Sequence, residues 1–144
     1  MIVLDTSGLL AAYGQDLTGH APVTEILRAD PGPLILSPFV LAELDYLVTT
    51  RAGIVAELTV LHDVAAGVYR LADFSSRDVA DAAGVTERYA GLKLGLADAS
   101  VVVLAARFGT SRVLTFDHRH FRALTPLQGG SFTLLPADDD QPRA

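Results

Sequence analysis

The stretch from Leu96 to Asp117, LADASVVVLAARFGTSRVLTFD, decides the fold class. Leu96–Phe108 reads as a strongly apolar helix, and Gly109 stops it. Val113–Thr115 follows as a short buried strand, with Asp117 close behind its end. Helix, glycine, apolar strand and trailing acid form one αβ unit, and the same grammar appears on either side.

Toward the N-terminus, Ile2–Leu4 is an apolar strand with Asp5 directly after it, and Thr6 or Ser7 can cap a helix through Tyr13. A helix is expected over His20–Ala29, with Pro22 near its first turn and Asp30-Pro31-Gly32-Pro33 as its stop. Leu34–Leu36 is a second strand. Ser37-Pro38 then supplies a cap and a proline at the first helical position, opening a helix to about Thr50. Beyond Gly53, the residues Val55, Leu58, Leu61 and Ala65 recur at helical spacing within a helix over Val55–Ala66. Val68–Leu71 is a third strand. Ser75 and Asp78 have the spacing of a capping box for the next helix, and Gly91–Gly95 marks a break. After Asp117, His118–Ala123 allows one helical turn, and Phe132–Leu135 is a fifth strand behind Gln128-Gly129-Gly130. Short apolar strands alternating with helices predict an α/β fold with a mostly parallel sheet. In such sheets ligands gather beyond the carboxyl ends of the strands.

The 144 residues fit one domain, placed at residues 1–135, with a flexible acidic tail over 136–144 that carries Asp138, Asp139 and Asp140. Half the residues are hydrophobic, which predicts a dense core. There is no cysteine, so disulfides, thiolate zinc sites and cysteine nucleophiles are excluded, and a reducing cytoplasm suits the chain. The opening MIVLDTS lacks the basic leader of a signal peptide, and no apolar run approaches the roughly 18 residues that span a bilayer. The net charge of -6 runs against nucleic-acid binding, which needs Lys or Arg on phosphate. Clustered acids neutralised by metal would relieve this, and the basic set is ten Arg and one Lys, with Arg the better bidentate phosphate ligand.

Four acids stand out. Asp5 and Asp117 leave the same end of two strands, either as helix caps or as converging carboxylates. Glu43 lies inside the apolar run Phe39–Val48 with Phe39, Val40, Tyr46 and Leu47 three and four residues away. It is therefore expected to face the core side, as half of an ion pair with a buried Arg, on a partly wet helix edge, or as a ligand. Asp98 heads the apolar stripe of Val101, Val102 and Ala105, where it either complements the helix dipole or joins the others. Gathered carboxylates repel and raise each other's pKa, and a hard divalent cation removes that repulsion. Mg2+ or Mn2+ fits this donor set better than zinc. His118 and His120 stand two apart, which does not share a helix face, and are read as polar surface; His20 and His62 carry no signal.

These residues together resemble PIN-domain nucleases. Met1–Ser7 looks like the family's opening strand, acid and hydroxyl residues; Ser37–Tyr46 like its second block, with Glu43 as the acid; Gly95–Ala99 like its third, with Asp98; and Leu114–Phe121 like its fourth, with Asp117. The order, the distances and the compact length are similar to the VapC toxins of toxin–antitoxin pairs. The resemblance implies a five-stranded parallel sheet sandwiched by helices, and Asp5, Glu43, Asp98 and Asp117 around Mg2+ or Mn2+. It further implies metal-activated hydrolysis of RNA to a 5′-phosphate and a 3′-hydroxyl, a homodimer, and inhibition by a small antitoxin. Thr6, Ser7 and Thr115 would orient ligands or water, and Arg88, Arg112 and Arg119 are candidates for phosphate contact.

Three rivals remain. A receiver-like signalling domain wants a paired acid after the first strand and a late lysine, but the strand ends Asp5-Thr6-Ser7 and the only lysine, Lys93, lies between helices. A haloacid-dehalogenase-like phosphatase wants a second aspartate where Ser7 stands. A non-cutting PIN fold that binds RNA or a partner shares every motif above.

Overall fold

Strand β1 (Ile2–Leu4) occupies the middle of the sheet because all three of its residues are apolar and can be covered on both faces; each is fully buried. The computed structural model describes residues 1–139. Around β1 the other strands, β2 (Leu34–Leu36), β3 (Arg70–Leu71), β4 (Arg112–Leu114) and β5 (Thr133–Leu135), form a five-stranded sheet in the order β3-β2-β1-β4-β5. Every neighbouring pair is parallel. Parallel strands need crossover connections, and seven α-helices among the described residues supply them: α1 (Thr6–Tyr13), α2 (His20–Ala29), α3 (Pro38–Ala52), α4 (Ile54–Ala65), α5 (Ser76–Arg88), α6 (Leu96–Phe108) and α7 (His118–Ala123). No helix among the described residues is long and apolar enough to cross a membrane.

Local chemistry sets the helix ends. The Ser37 hydroxyl accepts from the Phe39 N–H, with Pro38 at the first helical position of α3. Ser75 and Asp78 form the reciprocal capping box of α5. Gly109 ends α6 with φ +66°, a left-handed conformation that costs glycine nothing. Helix α6 is buried along most of its length, from Ala97 through Ala105, save the half-buried Asp98. Its Ser100 hydroxyl meets that of Ser37 at 2.6 Å, fastening α6 to the start of α3 inside the core.

One expectation is corrected. The third strand begins at Arg70 rather than Val68, because the Val68 N–H closes the turn after α4 by bonding to the Asp63 carbonyl. The α4 stripe of Val55, Leu58, Leu61 and Ala65 does not face the core: Val55 is 77% and Leu58 43% exposed, whereas Ala56, Val60 and Val64 pack inward. The C-terminal segment is held at its start. Asp138 pairs with both terminal nitrogens of Arg122 at 2.6 and 2.7 Å and accepts from the Leu134 N–H. The rest of the expected tail, residues 140–144, lies outside the described residues.

The close approach of α1 to β4 depends on Gly8. A Cβ there would stand 2.5 Å from the Leu114 carbonyl oxygen, which belongs to the sheet and cannot swing aside. Gly8→Ala should therefore lower unfolding free energy by ~1–3 kcal/mol despite alanine's better helix propensity. Urea denaturation measures it, and an unchanged midpoint would show that the two elements can part without loss.

Candidate active site

Because all five strands are parallel, their carboxyl ends share one edge, and helices that return antiparallel to them present their N-termini there. Asp5 follows β1, Asp117 follows β4 by two residues, and Asp98 lies in the first turn of α6. Glu43 lies in the second turn of α3, which starts directly after β2. The topology thus brings four segments, distant in sequence, to one edge.

Asp5 is buried, with 3% exposure, and makes no capping bond to α1. Its Oδ2 instead accepts from Thr115 Oγ1 at 2.7 Å and Ser7 Oγ at 2.9 Å. The same hydroxyls hold the β4–α7 loop: Ser7 Oγ accepts from the Phe116 N–H and Thr115 Oγ1 from the Asp117 N–H, both at 2.9 Å. Burial pushes the Asp5 carboxyl up, against the pull of Thr115, Ser7 and the Thr6 amide, and the Asp117 charge adds to the rise. Asp117 does cap α7, accepting from the His120 N–H, and also meets His120 Nδ1 at 2.8 Å. Asp98 stands 3.6 Å from the same nitrogen. Its carboxyl is pushed up to about 6, first by burial, then by the charges of Asp5 and Asp117, with His120 opposing and Glu43 adding to the rise.

Glu43 is exposed rather than turned to the core. The buried stripe of α3 is Val40, Leu44 and Val48, and Glu43 falls one position outside it, at the rim, where its charge still reaches Asp98. Thr6 is buried beside Asp5. Arg119 is exposed on α7 within the same segment as Asp117. Arg88, also exposed, lies over the Tyr89 ring at the end of α5. Arg112 does not face the acids. It opens β4 at the opposite edge of the sheet and pairs with the Asp30 carboxylate.

His120, read from sequence as surface, is the residue that sequence reasoning missed. The usable signal was its distance from Asp117 rather than from His118: three residues along a helical turn share a face. The ligand atoms of Asp98, Asp117 and His120 all lie within 4.8 Å of one another. This donor set fits a divalent cation on two grounds. Burial, joined by the neighbouring negative charges, already resists ionisation of Asp98, and the buried Thr6 hydroxyl has no hydrogen-bond partner among the described residues.

The raised Asp98 pKa fixes the sign of a pH effect. A folded-state pKa near 6, above the ordinary 3.8, means that the fold prefers the protonated acid. This penalty is present in full above about 6 and fades as pH falls toward 3.8. In chelator, Asp98→Asn should be more stable than wild type by ~1–2 kcal/mol at pH 7.5, discounted for partial exposure. The difference should shrink toward zero by pH ~4.5. Denaturant titrations at the two pH values check this, and a gap that is absent or grows on acidification contradicts the electrostatic account.

The PIN domain family model matches residues 2–125. Ribonuclease VapC26 of Mycobacterium tuberculosis is 44% identical over 135 residues, covering 94% of this chain and all of that protein. Among solved structures, the sarcin-ricin-loop-cleaving toxin VapC20 of Mycobacterium tuberculosis superimposes with a TM-score of 0.75 at 20% identity, over 81% of this chain and 90% of that one. VapBC2 of Rickettsia felis, bound to a promoter DNA fragment, gives 0.64 at 22% identity over 93% and 97%. A toxin–antitoxin complex from Klebsiella pneumoniae gives 0.64 at 18% over 88% and 98%. With its parallel sheet and its acids gathered at one sheet edge, the chain belongs to the PIN-domain family and is of the VapC kind.

Proposed function

We propose that this chain is the endoribonuclease toxin of a toxin–antitoxin pair, acting in the cytoplasm and hydrolysing RNA phosphodiester bonds with Mg2+ or Mn2+. The observation that carries this reading is the gathering of Asp5, Asp98 and Asp117 at one edge of the sheet, where burial first and their mutual repulsion second push the Asp98 carboxyl up to about 6. A protein without use for a cation at this point gains nothing from that repulsion. The similarity to a curated ribonuclease points the same way.

Asp98 and Asp117 would hold the cation, with Asp5 behind them and Glu43 at the rim. When bound, a divalent cation supplies Lewis acidity, bringing the pKa of water toward neutrality and offsetting charge on the leaving oxygen. Ser7 and Thr115 fix the buried Asp5 oxygen, so that this carboxylate cannot rotate away. The Thr6 hydroxyl is left to orient water. In-line attack on phosphorus would leave a 5′-phosphate and a 3′-hydroxyl. Arg119 and Arg88 are the exposed arginines assigned to the RNA backbone; Arg112 is not, because Asp30 holds it elsewhere.

The reading also includes a homodimer and an antitoxin that covers the site. Tyr46, Ile54 and Val55 on α3 and α4 are 69%, 66% and 77% exposed, an apolar surface suited to the dimer contact. Replacing Ile54 and Val55 by Asp should convert a dimer to a monomer in sedimentation experiments; an unchanged dimer places the contact elsewhere. Equimolar cognate antitoxin should suppress cleavage.

The central test compares wild type, Asp5→Asn and Asp98→Asn on total RNA, with Mg2+ or Mn2+ and with chelator. Wild type should give discrete fragments only with metal, and each variant should lose at least ~100-fold in rate while keeping its circular dichroism spectrum. Cleavage that persists in chelator or survives both substitutions would remove the mechanism.

A further inference from the structure

We propose that His120 Nδ1 is a nitrogen ligand of the cation, beside Asp98 and Asp117, and that it biases the site toward Mn2+ over Mg2+. The inference rests on the nuclease reading above and adds a cation preference that an all-carboxylate set does not supply. Nδ1 stands 2.8 Å from Asp117 Oδ2 and 3.6 Å from Asp98 Oδ2. An octahedral ion with bonds of ~2.1 Å puts neighbouring ligand atoms ~3 Å apart and opposite ones ~4.2 Å apart. The two distances to the imidazole lie in or just below that range, and the three ligand atoms lie within 4.8 Å of one another, so a small inward shift would let all three share one ion.

The ring is also held in place. His120 donates its backbone N–H to Asp117 Oδ1 at 3.2 Å, and Asp117 donates its own to Thr115 Oγ1. The next residue, Phe121, is 1% exposed and packs edge-on against Phe132, with ring centroids 6.0 Å apart. These contacts fix the α7 turn so that His120 stays beside the carboxylates. A side-chain exposure of 23% leaves it accessible from solvent. The bland alternative is an imidazole that merely steadies Asp117 by a hydrogen bond. Such a clamp would affect every cation alike. A ligating imidazole would not, because nitrogen donors favour transition cations, carboxylates suit both Mg2+ and Mn2+, and Mn2+ satisfies the whole set.

Pulsed electron paramagnetic resonance on the full-length protein loaded with Mn2+ separates the two. Wild type should show nitrogen modulation from a coordinated imidazole, and His120→Gln should lose it while still binding Mn2+. In competition titrations, His120→Gln should weaken Mn2+ by ~10-fold or more and Mg2+ by less than ~3-fold. Bound Mn2+ without nitrogen modulation in wild type, or equal weakening of both cations, overturns the ligand assignment and leaves the nuclease reading standing. Failure of wild type to bind Mn2+ at all, with Asp98→Asn indistinguishable from it, overturns both.

Discussion

Parallel pairing of β1 with β4 obliges the residues that follow them to meet, and those residues are acids. Leu4 and Leu114 are in register, and the Asp5 N–H continues the ladder to the Leu114 carbonyl. Asp5 and Asp117 consequently leave the sheet side by side, and the molecule must hold like charges together. It does so with two hydroxyls. Ser7 and Thr115 both donate to one Asp5 oxygen, and their own oxygens accept the backbone N–H groups of Phe116 and Asp117 respectively. A charged acceptor strengthens such bonds and partly offsets the cost of burying the carboxylate. Gly8 completes the arrangement, since only its missing Cβ lets α1 approach β4 closely enough for Ser7 to reach the loop.

Asp98 shows the tension that results. Its helix start favours negative charge, yet burial and the neighbouring carboxylates disfavour it, and the second influence prevails. The Ser37–Ser100 hydrogen bond ties α6 to the start of α3, so the helices carrying Asp98 and Glu43 cannot separate to relieve the repulsion. Local destabilisation of this kind is common where a site is arranged for a ligand rather than for the empty fold.

The order of elements was legible because each is announced by local chemistry. Leu96–Phe108 and His20–Ala29 end at the residues where Gly109 and the Asp30-Pro31 stop place them. The side to which a helix turns was less legible. Helix α3 is apolar around much of its circumference, so the three- and four-residue neighbours of Glu43 point it toward the core side, whereas the contacts with α1, α4 and α6 choose Val40, Leu44 and Val48 for the interior. In α4 the apolar residues at helical spacing are real but face outward. Arg112 opens its strand, and strand direction decides which edge of the sheet a residue occupies. His120 stands two residues from His118, a spacing that shares no helical face, and three from Asp117, a spacing that does.

The acidity of the chain acquires a physical sense from the same geometry. Three arginines that might have served a polyanion are engaged with carboxylates: Arg107 with Asp78, Arg112 with Asp30 and Arg122 with Asp138. Near the acids, exposed positive charge is supplied by Arg119, while Asp5, Glu43, Asp98 and Asp117 all repel a phosphate. A backbone could approach this edge only after the carboxylates have been neutralised. On the proposed reading, one cation therefore admits the substrate and activates the water, so that binding and chemistry cannot be separated by removing it. In an acidic protein that coupling is itself a safeguard, because the charge that catalyses without RNA and the charge that binds RNA without catalysis are not independently present.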